Sequence, residues 1–128
     1  MVATVAALRL EAAVEDAVLR AARSHPATPF NLNYADADGQ DLALCIRELL
    51  VRGGWSPLSP PGPAPGFQRR GVIVWTPREK TRVAEALAGA LRAELAVQVV
   101  ERNDGGPVAV TVGVATWSTT RGVLLGRS

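Results

Sequence analysis

Between Ser56 and Gly66 the chain reads Ser-Pro-Leu-Ser-Pro-Pro-Gly-Pro-Ala-Pro-Gly, five prolines in eleven residues. Proline fixes φ, lacks the N–H that helices and sheet ladders need, and restricts the residue before it, so this stretch is neither helix nor central strand. It is a semi-rigid, partly extended surface connection. On either side lies a strand pattern followed by a helix pattern. The segment reads as a connector inside one domain, with a boundary between two small modules as the alternative.

Upstream of it, Ala3, Ala6, Leu10, Val14, Val18 and Ala21 recur at spacings of three and four, which predicts an amphipathic helix over residues 3–23 with Arg9, Glu15 and Arg23 on its wet side. Pro26 ends that helix, and His25, the single histidine, takes a helix-end position. Phe30, Leu32 and Tyr34 alternate with Asn31 and Asn33, a strand over 29–35 with one polar face. The Asp-rich turn after it leads into a helix over about 39–52, with Asp38 as its cap, Leu42, Cys45 or Ile46, and Leu49 on one face, and Gly53-Gly54 ending it.

Downstream, Gly71-Val-Ile-Val-Trp75 is an unbroken apolar run and predicts a strand buried on both faces. Thr76, Pro77 and Glu79 then fit a cap, a first helical position and a capping-box carboxylate, opening a helix to about Leu95 that buries Val83, Leu87, Leu91 and Leu95. A third strand follows over Val97 to Arg102. The turn Asn103-Asp-Gly-Gly-Pro107 leads to a fourth over Val108 to Ala115, in which the valines alternate with smaller residues. The short turn favours an antiparallel hairpin between these two strands.

The expected fold is therefore α/β: a small mixed four-stranded sheet with about three helices, a mainly parallel core with right-handed crossovers, and a C-terminal antiparallel hairpin at the edge. An α+β split βαβ sandwich, with both central helices on one face, is the alternative. Residues 1–27 form an amphipathic helix on or beside the core, 28–116 the α/β domain, and 117–128 a tail.

Composition narrows the function classes. The chain has 128 residues, 48% of them hydrophobic and 20% charged, which is globular. A net charge of +2 is too small to imply a nucleic-acid partner, even though the second half is the more basic. Cys45, the single cysteine, permits no intramolecular disulfide and no multi-cysteine zinc site, which makes a reducing, cytoplasmic location the default. Arg9, Glu11, Glu15 and Asp16 break the apolar start well short of the ~18–20 residues needed to cross a bilayer.

Chemistry-bearing groups collect after the first two strands. Asp36, Asp38 and Asp41 follow one, and Thr76, Arg78 and Lys80 follow the other. If those strands are neighbours, the two clusters share a rim. The acidic turn lacks the spacing of a calcium loop, so capping is its expected role and no metal is assigned, although an enzyme using this turn is one alternative reading. Thr76, Arg78 and Lys80 form a candidate anion site at a helix start. Arg69 and Arg70 are candidate nucleic-acid contacts, with Trp55, Trp75 and Trp117 more suited to packing than to base stacking. There is no GxSxG and no phosphate loop, so no catalytic residue and no cofactor is assigned. The leading expectation is a noncatalytic protein-interaction or assembly domain that partners another protein or itself through the small-residue face of the first helix, at Ala6, Leu10, Ala13 and Val14. A small anion-binding or nucleic-acid-binding module is the alternative.

Overall fold

The computed structural model describes residues 10–64, 66–114 and 116. Its elements are α1 (Ala12–Arg23), β1 (Pro29–Tyr34), α2 (Ala37–Arg52), β2 (Ser56–Pro57), β3 (Gly62–Pro63), β4 (Val72–Pro77), a single 3-10 turn (Arg78–Lys80), α3 (Thr81–Leu91), β5 (Val97–Arg102) and β6 (Val108–Val112). The architecture is α/β, with three helices and one mixed sheet among the described residues.

The sheet has six strands in place of the expected four, in the order β2-β1-β6-β4-β5, with β3 also pairing β1. The two additional strands come from the proline-rich segment, whose dipeptides β2 and β3 both run parallel to β1. Ser56 N–H donates to Thr28 O at 2.9 Å, Leu58 N–H to Phe30 O at 3.0 Å, and Ala64 N–H to Tyr34 O at 2.8 Å. Pro57 and Pro63, each next to a residue whose N–H points inward, therefore occupy outward positions, where a missing N–H goes unneeded.

The second correction concerns β6. It does not hairpin onto β5 at the edge but inserts between β1, to which it is parallel, and β4, to which it is antiparallel. All five of its residues are buried. Val108, Val110 and Val112 belong to the hydrophobic core, while Ala109 and Thr111 are buried on the other face of the strand. The remaining pairs, β1 with β2 and β4 with β5, are parallel, so the sheet is mainly parallel as expected.

Handedness then places the helices. The units β1–α2–β2 and β4–α3–β5 run in opposite directions and step outward from β6 in opposite senses, so two right-handed crossovers deliver α2 and α3 to the same face of the sheet. α1 packs against both of them. The core lies between this layer and the sheet, where Leu10, Val14, Val18 and Ala22 meet Leu42, Ile46, Leu50, Leu87 and Leu91 over Phe30, Leu32, Val74, Val108, Val110 and Val112.

Close approaches hold the layers in register. Trp55 is buried, donates its indole N–H to Ala22 O at 3.0 Å and lies 5.9 Å from the Phe30 ring, locking the end of α1 to the end of α2. At the opposite end of the sheet the chain leaving β6 crosses the chain entering β4. Gly113 N–H donates to Gly71 O at 2.7 Å, and Val114 N–H donates to Arg69 O at 2.8 Å. The buried Thr116 hydroxyl accepts from Gly71 N–H at 3.1 Å and donates to Gly113 O at 2.8 Å. Only glycine fits at 113: a Cβ there would stand 2.8 Å from the Arg69 carbonyl carbon and 2.9 Å from Gly71 O.

Candidate functional site

The sheet order separates the two clusters that sequence reasoning set on one rim. Because β4 runs opposite to β6 and β6 runs with β1, the carboxyl ends of β1 and β4 point to opposite ends of the sheet. Asp36, Asp38 and Asp41 therefore stand far from Thr76, Arg78 and Lys80. The acidic turn is a helix start: Asp36, with extended backbone at φ −151° and ψ 178°, accepts from Gly39 N–H at 2.9 Å and is the N-cap. The cap is thus Asp36, with Asp38 following in the first turn where a carboxylate favours the helix dipole. No group of three or more His, Cys, Asp or Glu suited to a metal ion occurs among the described residues.

At the other end, Thr76 does not cap α3. β4 continues through Pro77, and Thr76 is a fully buried strand residue whose hydroxyl donates to Pro77 O at 2.8 Å. The 3-10 turn intervenes before α3, and Pro77 at its start offers no side-chain cap. Of the expected anion trio, Arg78 alone lines the cavity of about 280 Å³ found here. The remaining lining is Pro77, Glu79, Arg102, Asn103 and Gly105. Arg102 ends β5, the parallel neighbour of β4, and so shares its rim. Arg78 Nε lies 4.0 Å from Glu101 Oε1, and Thr81 donates its hydroxyl to Glu101 Oε2 at 2.9 Å. Arg102 donates from Nη2 to Pro107 O at 2.5 Å, while its Nε, 3.7 Å from Asp104 Oδ1, is buried and makes no hydrogen bond.

The first-helix face expected to contact a partner is divided. Leu10 and Val14 belong to the core, Ala13 is exposed, and Ala6 lies outside the described residues. The exposed large apolar side chains on a helix sit instead on α2: Leu44 is 48% exposed and Val51 40% exposed. They lie seven residues apart, two turns of one helix, on the side opposite the buried Leu42, Ile46, Leu49 and Leu50. Arg47 and Glu48 fall between them. A second cavity, about 300 Å³, opens beside this stripe and is lined by Glu15, Leu44, Cys45 and Glu48. Glu48 pairs with Arg52 at 3.8 Å along the same helix.

The nucleic-acid candidates do not assemble into a stacking row among the described residues. Trp55 is buried in the core, and Trp75 donates its indole N–H to Thr111 Oγ1 at 2.9 Å. Arg69 and Arg70 are exposed, Arg69 donating from Nη2 to Gln98 Oε1 at 2.5 Å. Trp117 lies outside the described residues. His25 sits at the end of α1, where its N–H donates to Ala22 O at 3.1 Å and its carbonyl accepts from the Thr28 hydroxyl at 2.6 Å. Among the described residues, no helix is long and apolar enough to cross a membrane. No protein-family model, no curated protein and no solved structure matches the chain.

Proposed function

We propose that the chain is a noncatalytic protein-interaction domain that assembles with a second copy of itself through the outer face of α2, in a reducing compartment such as the cytoplasm. The observation that carries this reading is the pair of exposed apolar side chains, Leu44 and Val51, two turns apart with a basic and an acidic residue between them. Such a stripe is self-complementary. An antiparallel packing about a two-fold axis between positions 47 and 48 sets Leu44 against the partner subunit's Val51, and Arg47 against the partner subunit's Glu48. The isologous arrangement repeats both contacts. The intrachain Glu48–Arg52 pair is more than half exposed, so exchanging it for the intersubunit pair costs little.

Sedimentation velocity across a range of protein concentrations tests the proposal. The wild type is expected to show a reversible, concentration-dependent dimer, and Leu44→Glu with Val51→Glu a monomer that retains its fold. Charge reversal sharpens the test: Arg47→Glu alone and Glu48→Arg alone each weaken association, and the two together restore it. A wild type that remains monomeric at every concentration refutes self-assembly.

A further inference from the structure

We infer that the cavity at the carboxyl ends of β4 and β5 is a binding site for a small carboxylate that also carries an N–H or O–H donor, held by Arg78 and Arg102. Three features converge there. The cavity, about 280 Å³, is bounded by the ends of two parallel strands, the region where α/β sheets take ligands, and its size is at the small end of ligand pockets. Arg78, in the 3-10 turn that follows β4, and Arg102, at the end of β5, both line it. Of these, the Arg78 side chain is 86% exposed with a partner only at 4.0 Å, and Arg102 carries a buried Nε donor that makes no hydrogen bond. The exposed Arg78 guanidinium is open to a carboxylate, and a charge-assisted pair there is stronger than a neutral hydrogen bond.

The surrounding charges choose between anions. Glu79 lines the same cavity, and Glu101 and Asp104 flank it beside Arg78 and Arg102. Two basic groups, Arg78 and Arg102, stand against three carboxylates, so the rim offers no surplus positive charge for a dianion. A monoanionic carboxylate fits between the guanidinium groups, and Glu79, an acceptor, then receives the ligand's donor. The Asn103 amide and the backbone at Gly105, held at a φ of +69°, complete the lining.

The test is a titration of the isotope-labelled protein followed by amide chemical shifts at constant ionic strength, with N-acetylglycine, acetate and inorganic phosphate as probes. N-acetylglycine is expected to shift the Asn103 and Gly105 amides saturably and to bind more tightly than either acetate or phosphate. Arg78→Gln, at an exposed side chain that the fold does not need, should weaken it by roughly tenfold or more, the loss of one charge-assisted pair. Glu79→Gln should narrow the preference over phosphate. Arg102→Gln should weaken binding as Arg78→Gln does. Phosphate binding more tightly than N-acetylglycine overturns the assignment, as does equal binding by wild type and Arg78→Gln, or the absence of saturable shifts with every probe.

Discussion

The crossing at Gly113 supplies the sharpest stability test. Replacing Gly113 by alanine places a Cβ 2.8 Å from the Arg69 carbonyl carbon, 2.9 Å from Gly71 O and closer still to Arg69 O. All three are backbone atoms, so no side-chain rotation relieves the overlap. One of the two strands has to move, and the bonds from Gly113 N–H to Gly71 O and from Val114 N–H to Arg69 O are lost or lengthened. Gly71 cannot readily accommodate the shift, because the next residue is tied to β5's approach by the bond from Val72 N–H to Ala96 O at 2.9 Å.

The size of the effect follows from those bonds. Each buried backbone group left without a partner costs about 1–3 kcal/mol, so the two broken bonds, counted as one unsatisfied group each, amount to roughly 2–6 kcal/mol. A domain of this length has a total stability on the order of 6–19 kcal/mol, so the loss is a large fraction of the whole. Urea unfolding followed by far-ultraviolet circular dichroism should show a lower midpoint with an unchanged slope. A change below about 0.5 kcal/mol would refute the close crossing of the chain after β6 over the chain before β4.

Two further substitutions have calculable outcomes. Gly89 is exposed within α3 and a Cβ there meets nothing within 4 Å, so Gly89→Ala should raise stability by about 0.5–1 kcal/mol, opposite in sign to the same change at 113 and measured by the same unfolding assay. Asp36→Ala removes the N-cap of α2 and should cost about 1 kcal/mol, whereas Asp38→Ala, which leaves the cap in place, should cost less; a larger loss from Asp38→Ala in thermal unfolding would return the cap to position 38.

What could be read from the residues alone was local. The unbroken Val72-Ile-Val run forces a strand buried on both faces, and the Phe30–Tyr34 alternation gives β1 its two unlike sides. The cap of α2 was legible as a type of residue but not as a position, because Asp36 and Asp38 both fit and only the extended backbone at 36 decides. Thr76 misled for the same reason: threonine suits caps and strands alike, and β4 runs two residues further than the apolar run suggests. The place of β6 is non-local. Its pairing joins Val108 to Phe30 across nearly the whole chain, and no periodicity within Val108–Val112 encodes a neighbour. Arg102 was within reach. The strand-helix-strand pattern already implies that β5 lies parallel to β4, and extending the shared-rim rule to the end of β5 sets Arg102 beside Arg78.

The arrangement of the sheet also bears on the proposed self-assembly through the helix layer, because it closes the alternative route of strand addition. The valine-rich strand expected at the edge of the sheet is enclosed within it, with β1 on one side and β4 on the other. Of the two real edges, one is covered by β2 and β3, where Pro57 and Pro63 face outward without an N–H to offer an incoming strand. The other is β5. There Arg92 donates from Nε to Val97 O at 3.2 Å, occupying an outward acceptor, and Glu101 places a charge near the end of the strand. Proline on one edge and charged side chains on the other are devices that discourage strand addition. The outer face of α2, by contrast, exposes Leu44 and Val51, and under the proposed self-assembly a second copy covers them and sets the partner subunit's Glu48 against Arg47.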